Sequence, residues 1–204
     1  MKRIITIFLF SVCINFSHAQ FVENHAIYSA IEANNGNYSG IDLNLNYIYK
    51  DKFSFKVGYS GNRRKPKSQP EDYKYHLIWI LSDEFSIPYD KFKNYNISLG
   101  KIYTLNASGT LRANLSLGIG FTTIKEPENW QKNTNIYWAE NYSWNYKEYK
   151  AISLIINPKI EFPFFRFTGL SIYSLVQINK YRTFFGVGMG QMIGLCRKRK
   201  IQVK

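Results

Sequence analysis

Residues 111–122 read LRANLSLGIGFT, and which way the two faces of this stretch point decides the fold. Leu111, Ala113, Leu115, Leu117, Ile119 and Phe121 alternate with Arg112, Asn114, Ser116, Gly118, Gly120 and Thr122. Successive side chains leave a strand on opposite sides, so a period of two predicts a β-strand with one greasy face. The other face is unsuited to water. A soluble sheet or barrel buries its bulky face and shows Lys, Glu and Thr to solvent. Gly, Ser and Asn instead suit the lining of a narrow barrel, with Leu and Ile turned outward to acyl chains.

The same alternation recurs on both sides. Ile41, Leu43, Leu45, Tyr47 and Tyr49 alternate with Asp42, Asn44, Asn46 and Ile48, and Phe53, Phe55, Val57 and Tyr59 with Ser54, Lys56, Gly58 and Ser60. Further segments centre on Tyr95–Leu99, Ile152–Glu161, Leu170–Ile178 and Phe185–Leu195, the last with glycine at every second position from Gly186 to Gly190. With a weaker segment over 24–34, the pattern predicts an all-β, closed antiparallel transmembrane β-barrel of eight strands, since an open edge in hydrocarbon leaves backbone groups unpaired. Ten strands is the alternative, because the apolar run YKYHLIWIL at 73–81 lies within a supposed loop. Connections at 50–52, 106–109 and 163–166 are short, whereas 61–91 and 124–150 are long. Short turns belong to the periplasmic side and long loops to the extracellular side, which puts both chain ends in the periplasm. Aromatics gather near both rims, as at two membrane interfaces. Two residues strain the pattern: Lys101 falls on the lipid-facing parity unless a bulge at Gly100 turns it inward, and Pro158 removes a ladder hydrogen bond.

Composition agrees. At 204 residues, 45% hydrophobic and 17% aromatic, the chain is neither disordered nor large enough for two such domains. Lys2 and Arg3, an apolar stretch over 4–16 and Ser17-His18-Ala19 predict a signal peptide over 1–19. The barrel then spans 20–196 and a basic periplasmic tail 197–204, where part of the formal +13 charge resides. Cys196 is the only thiol outside the signal, so no intrachain disulfide is expected.

In this pattern and topology the chain resembles the small eight-stranded outer-membrane barrels of Gram-negative bacteria, the OmpA/OmpX-like type. The resemblance implies an outer-membrane location, contact with outer-membrane lipid and a monomer. It rests on no residue motif, and strand eight ends Leu195-Cys196-Arg197-Lys198 without the usual terminal aromatic.

Inward parity collects Glu32, Asp42 and Glu161 with Lys56, Arg112 and Lys159. Such a set lines a conducting path or, the reading preferred here, forms an ion-pair network that fills the lumen, because buried charges need partners. All four tryptophans, Trp79, Trp130, Trp138 and Trp144, fall in the two long connections, with Tyr137 and Tyr142 nearby. These rings are read as a platform for an extracellular glycan or protein, against the alternative that strands five and six run past the membrane and the rings brace a hairpin. Arg63, Arg64, Lys65 and Lys67 leave strand three at the outer rim, within reach of lipid phosphates. His25 and His76 have no nucleophile pattern beside them, and there is no zinc spacing, G-x-S-x-G or P-loop. The expectation is therefore a non-enzymatic structural or surface-binding protein without catalytic residue, cofactor or metal, and without nucleic acid as partner. A narrow channel is the first alternative and a lipid-modifying enzyme with His76 as base the second.

Overall fold

The computed structural model describes residues 24–74, 87–133 and 141–197. Its strands are β1 (His25–Gly36), β2 (Ser39–Tyr49), β3 (Phe53–Arg64), β4 (Asp90–Thr104), β5 (Arg112–Lys132), β6 (Tyr142–Phe162), β7 (Thr168–Ile178) and β8 (Thr183–Leu195). Each pairs antiparallel with the next, and β1 pairs with β8, so the sheet closes as an eight-stranded barrel. Because β3 pairs directly with β4, no further strand enters the wall between them, and the ten-strand alternative falls.

Orientation follows the greasy-side-out pattern along every strand. Leu117 is 61% exposed while its neighbour Ser116 is 6% exposed. The outward belt includes Ile31, Leu45, Leu99, Ile152 and Met189, and the inward face carries Asn46, Asn94, Ser98, Ser153 and Gln177. Glycine on the inner face of β8 makes room for side chains that cross the lumen. A Cβ on Gly188 would fall 2.2 Å from the Ala33 carbonyl oxygen and 2.7 Å from the Tyr173 ring.

At one rim, here the inner one, the connections are short. Lys50 and Asp51 both have positive φ, 51° and 53°, and Lys52 N–H donates to Tyr49 O at 3.0 Å. Two consecutive left-handed residues make the type I′ hairpin turn, whose twist matches that of the strands. The strained positions resolve simply. Lys101 faces outward with no bulge, its Nζ 5.2 Å from the Tyr103 ring at the inner rim. Such snorkelling keeps the ammonium at the interface. At Pro158 the β6–β7 ladder skips from Ile156↔Val176 to Lys159↔Tyr173, and the Asn157 side-chain amide donates to Ser174 O at 2.7 Å.

The long connections differ from expectation. β5 and β6 each run 21 residues, so 124–132 and 142–150 are strand rather than loop and the connection shrinks to 133–141. Residues 61–64 likewise belong to β3. A tilted membrane strand needs about 9 to 11 residues. Half of the β5–β6 hairpin therefore projects beyond the apolar belt.

Candidate functional site

The lumen is filled in layers. At the inner rim Ala26, Tyr28, Ala30, Ile48, Ile102, Met192 and Cys196 pack together. Above them lies a polar waist. Arg112 Nε donates to Glu161 Oε2 at 2.5 Å, and Glu161 Oε1 accepts from Tyr28 OH at 2.7 Å and Asn114 Nδ2 at 3.1 Å. Lys159 Nζ donates to Glu32 Oε1 at 2.5 Å, joined there by Ser171 at 2.8 Å, while Asn44 reaches Glu32 Oε2 at 2.8 Å. The six charged residues do not all pair with one another. Asp42 accepts from the Tyr173 hydroxyl and from Asn34, and Lys56 donates to Asn157 Oδ1 at 2.5 Å. Neutral amides and a phenol thus satisfy the two charges left outside the ion pairs.

Towards the outer rim the filling turns apolar. Tyr38, Phe92, Ile124, Ile155, Tyr173, Leu175 and Phe184 form one buried cluster. The Tyr38, Phe92 and Phe184 rings meet with centroids 5.6 to 6.2 Å apart. Over this plug lies a lid of ion pairs. Arg182 grips Glu126 with two hydrogen bonds of 2.8 and 2.9 Å, and Arg64 Nε meets Asp90 Oδ2 at 2.8 Å. The Arg64 guanidinium also lies 4.3 Å from the Tyr38 ring, and burial pushes the Tyr38 phenol up to about 12, so it stays neutral. The sequence does not single out the plug, and of the lid it marks only Arg64, as a lipid contact. The signal lies in strand parity: Phe92 continues the inward series of Asn94, Asn96 and Ser98, three residues before the Tyr95–Leu99 segment.

Outside, the projecting hairpin carries an aromatic cluster. Asn129 takes φ 56°, and the β5–β6 register shifts between Glu128 and Gln131. Such a bulge reverses parity, which brings Trp130 onto the face of Tyr142 and Trp144. The Trp130 ring lies 5.4 Å from Trp144 and 5.6 Å from Tyr73, and all four rings are half-buried. Tyr73 comes from the segment after β3, which is clasped to the hairpin. Asp72 accepts from Lys132 Nζ and Tyr142 OH, each at 2.7 Å, and the Asn141 amide bonds Asp72 O at 2.7 Å. Ser68 accepts from Trp130 Nε1 at 3.1 Å and donates to Pro127 O at 2.6 Å. Lys132 and Tyr142 hold the Asp72 carboxyl below its usual range. Trp130, Tyr142 and Trp144 therefore meet one another and the clasped segment, whereas Trp79, Tyr137, Trp138 and His76 lie outside the described residues. Of the rim cations, Arg63 points to the outer wall, Arg64 is engaged inside the mouth, and Lys65 and Lys67 are exposed. At the opposite rim His25 Nδ1 lies 2.7 Å from Tyr47 OH, within the aromatic girdle.

Closed in eight strands, greasy outside and polar at the waist, this is the architecture of the small outer-membrane β-barrels. No family model matches the chain, and no curated protein matches it. Among solved structures it is similar to the N-terminal β-barrel domain of Pseudomonas aeruginosa OprF, with 11% identity, a TM-score of 0.51, and coverage of 84% of this chain and 97% of that one. Ail, the attachment invasion locus protein of Yersinia pestis, follows at 12% identity and a TM-score of 0.47, covering 83% of this chain and 95% of that one. Neisserial surface protein A stands at 11% and 0.45, with the same coverages of 83% and 95%. At these identities the OprF likeness is one of fold.

Proposed function

We propose that this chain is a non-enzymatic outer-membrane barrel, exported by the signal at 1–19, whose lumen does not conduct and whose activity lies at the cell surface. The barrel at 20–196 acts as anchor, and the basic tail at 197–204 faces the periplasm. The observation that carries this reading is the filled lumen: an apolar plug beneath paired Arg64–Asp90 and Arg182–Glu126, and a waist bridged by Lys159–Glu32. An eight-stranded barrel is just wide enough for its side chains, and here those side chains occupy it. The outward belt of Ile, Leu, Val and Phe supports residence in a bilayer. The projecting hairpin, braced by Trp130, Tyr142, Trp144 and the clasped segment, supplies a rigid surface for an extracellular glycan or protein.

Purified protein in planar bilayers tests the first half: no stepwise current is expected, and reproducible unitary steps would establish the channel alternative instead. The second half is tested by excision. Glu128 and Asn145 face each other in the ladder, so replacing 129–144 by Asn-Gly closes the hairpin without disturbing the wall. Cells displaying the full chain are expected to bind a panel of immobilised glycans and matrix proteins, and cells displaying the excised form to lose that binding while heat-modifiable migration persists. Equal binding by both forms would leave the chain a structural barrel only.

A further inference from the structure

On the outer wall near the outer rim, β2, β3 and β4 enclose a groove of about 600 Å³. Its floor is Gly61, whose cross-strand partners are Ile41 and Lys93, and the Tyr59 ring leans across it, the hydroxyl 3.1 Å from where a Cβ would stand. Leu43 and Tyr59 form its membrane side. Two residues further out, Arg63 stands directly opposite Lys91. Like charges facing each other across a ladder are destabilising, and this pair gains Lys93 one step below. By contrast Lys125, opposite Lys91 on the other side of β4, and Lys150 share Glu148 at 3.0 and 3.2 Å. Among the described residues, Arg63, Lys91 and Lys93 pair with no carboxylate. Rings hold two of them in place: Arg63 lies 4.9 Å from the Tyr89 ring and Lys91 5.6 Å from that of Tyr146.

We infer that this groove binds a phosphorylated, acylated glycolipid of the outer leaflet, with a phosphate monoester against Arg63, Lys91 and Lys93 and its acyl chains running past Tyr59 and Leu43 into the apolar belt. The height is right. Tyr59 and Tyr95, in ring contact at 5.0 Å, mark the aromatic girdle, and the cations lie one and two rows above it, about 7 Å per row. The charge selects the headgroup. A phosphate monoester carries about −1.5 to −2 and three acceptor oxygens, which suits three cations at neighbouring ladder positions, whereas a phospholipid diester carries a single charge.

The inference rests on the outer-membrane reading, and its test is independent of it. Protein in phosphatidylcholine nanodiscs is titrated with monophosphoryl lipid A or with phosphatidylglycerol, and retained lipid is counted by native mass spectrometry. Wild type is expected to prefer monophosphoryl lipid A by about tenfold or more, a difference of the size charge-assisted contacts supply. Arg63→Gln/Lys91→Gln/Lys93→Gln is expected to abolish that preference. Lys50→Gln/Lys52→Gln, at the opposite rim, is expected to change nothing. Equal retention of both lipids, or an unchanged preference in the triple variant, would overturn the site. Heat-modifiable, bilayer-embedded protein in those same samples would leave the function proposed above standing.

Discussion

Glu161 is fully buried and accepts from Arg112, Tyr28 and Asn114, so its charge exists only by virtue of those donors. Removing one member of a buried pair leaves the other charge without compensation, at a cost of about 3–5 kcal/mol, whereas replacing both by apolar residues of like volume is often neutral. Arg112→Met alone is accordingly expected to lower the urea midpoint in lipid vesicles strongly, and Arg112→Met/Glu161→Leu to recover most of the loss. A double variant no more stable than the single one would show that the pair contributes more than mutual neutralisation. Asn157→Ala is a second residue-scale case, because one amide serves both Lys56 and the Ser174 carbonyl beside Pro158. An orphaned buried group costs about 1–3 kcal/mol, so this variant is expected to destabilise the barrel measurably in the same assay, and Asn157→Gln to restore part of the stability. That these residues turn inward was legible from parity alone. Their partners were not, because which inward residues meet across a lumen depends on register and shear rather than on spacing along one strand.

At the scale of elements, the membrane part of the strands is legible in the sequence, whereas the projecting part of β5 and β6 enters only as the alternative to a binding platform, and it is that alternative the strands follow. Alternation is visible only where one face meets lipid and the other a polar interior; above the belt both faces of the hairpin are wet. Residues 142–150, YSWNYKEYK, therefore look like loop, although Asn145 to Lys150 pair continuously with β5 up to its bulge and Tyr142 and Ser143 pair beyond it. The clasp that holds the 65–74 segment against this hairpin has a pH dependence with a fixed sign. Docking lowers the Asp72 carboxyl below its ordinary 3.8, through hydrogen bonds from Lys132 and then Tyr142. Its contribution is thus complete above the ordinary value and lost as pH falls through the lowered one. Lys132 is raised by the same contact, so that side persists until pH rises beyond its ordinary 10.5. Limited acid-protease cleavage after residues 65–74 is expected to accelerate below about pH 4 in the wild type. Asp72→Asn is expected to show the faster cleavage at every pH, and an identical profile for both would locate the clasp elsewhere.

For the whole molecule, the decisive property is that the lumen, between its inner-rim cluster and its outer lid, carries two closures in series, of different chemistry. The upper one is apolar, built on Phe92, Phe184 and Tyr38; the waist is ionic, with Lys159 reaching from β6 to Glu32 on β1. The apolar one escaped the sequence pattern because large hydrophobic residues on an inward face break the contrast by which the strands were recognised. Barriers in series make a specific forecast about conductance. Phe92→Ala/Phe184→Ala removes the rings that exclude water, yet ions still meet the Lys159–Glu32 bridge in a bore sized for side chains. That variant is expected to remain silent in planar bilayers, as is Glu32→Ala/Lys159→Ala, whose apolar plug still expels water. Only the fourfold variant, verified as folded by heat-modifiable migration, is expected to pass small unitary currents. Current through either double variant would mean that one closure alone seals the barrel and that the other serves stability.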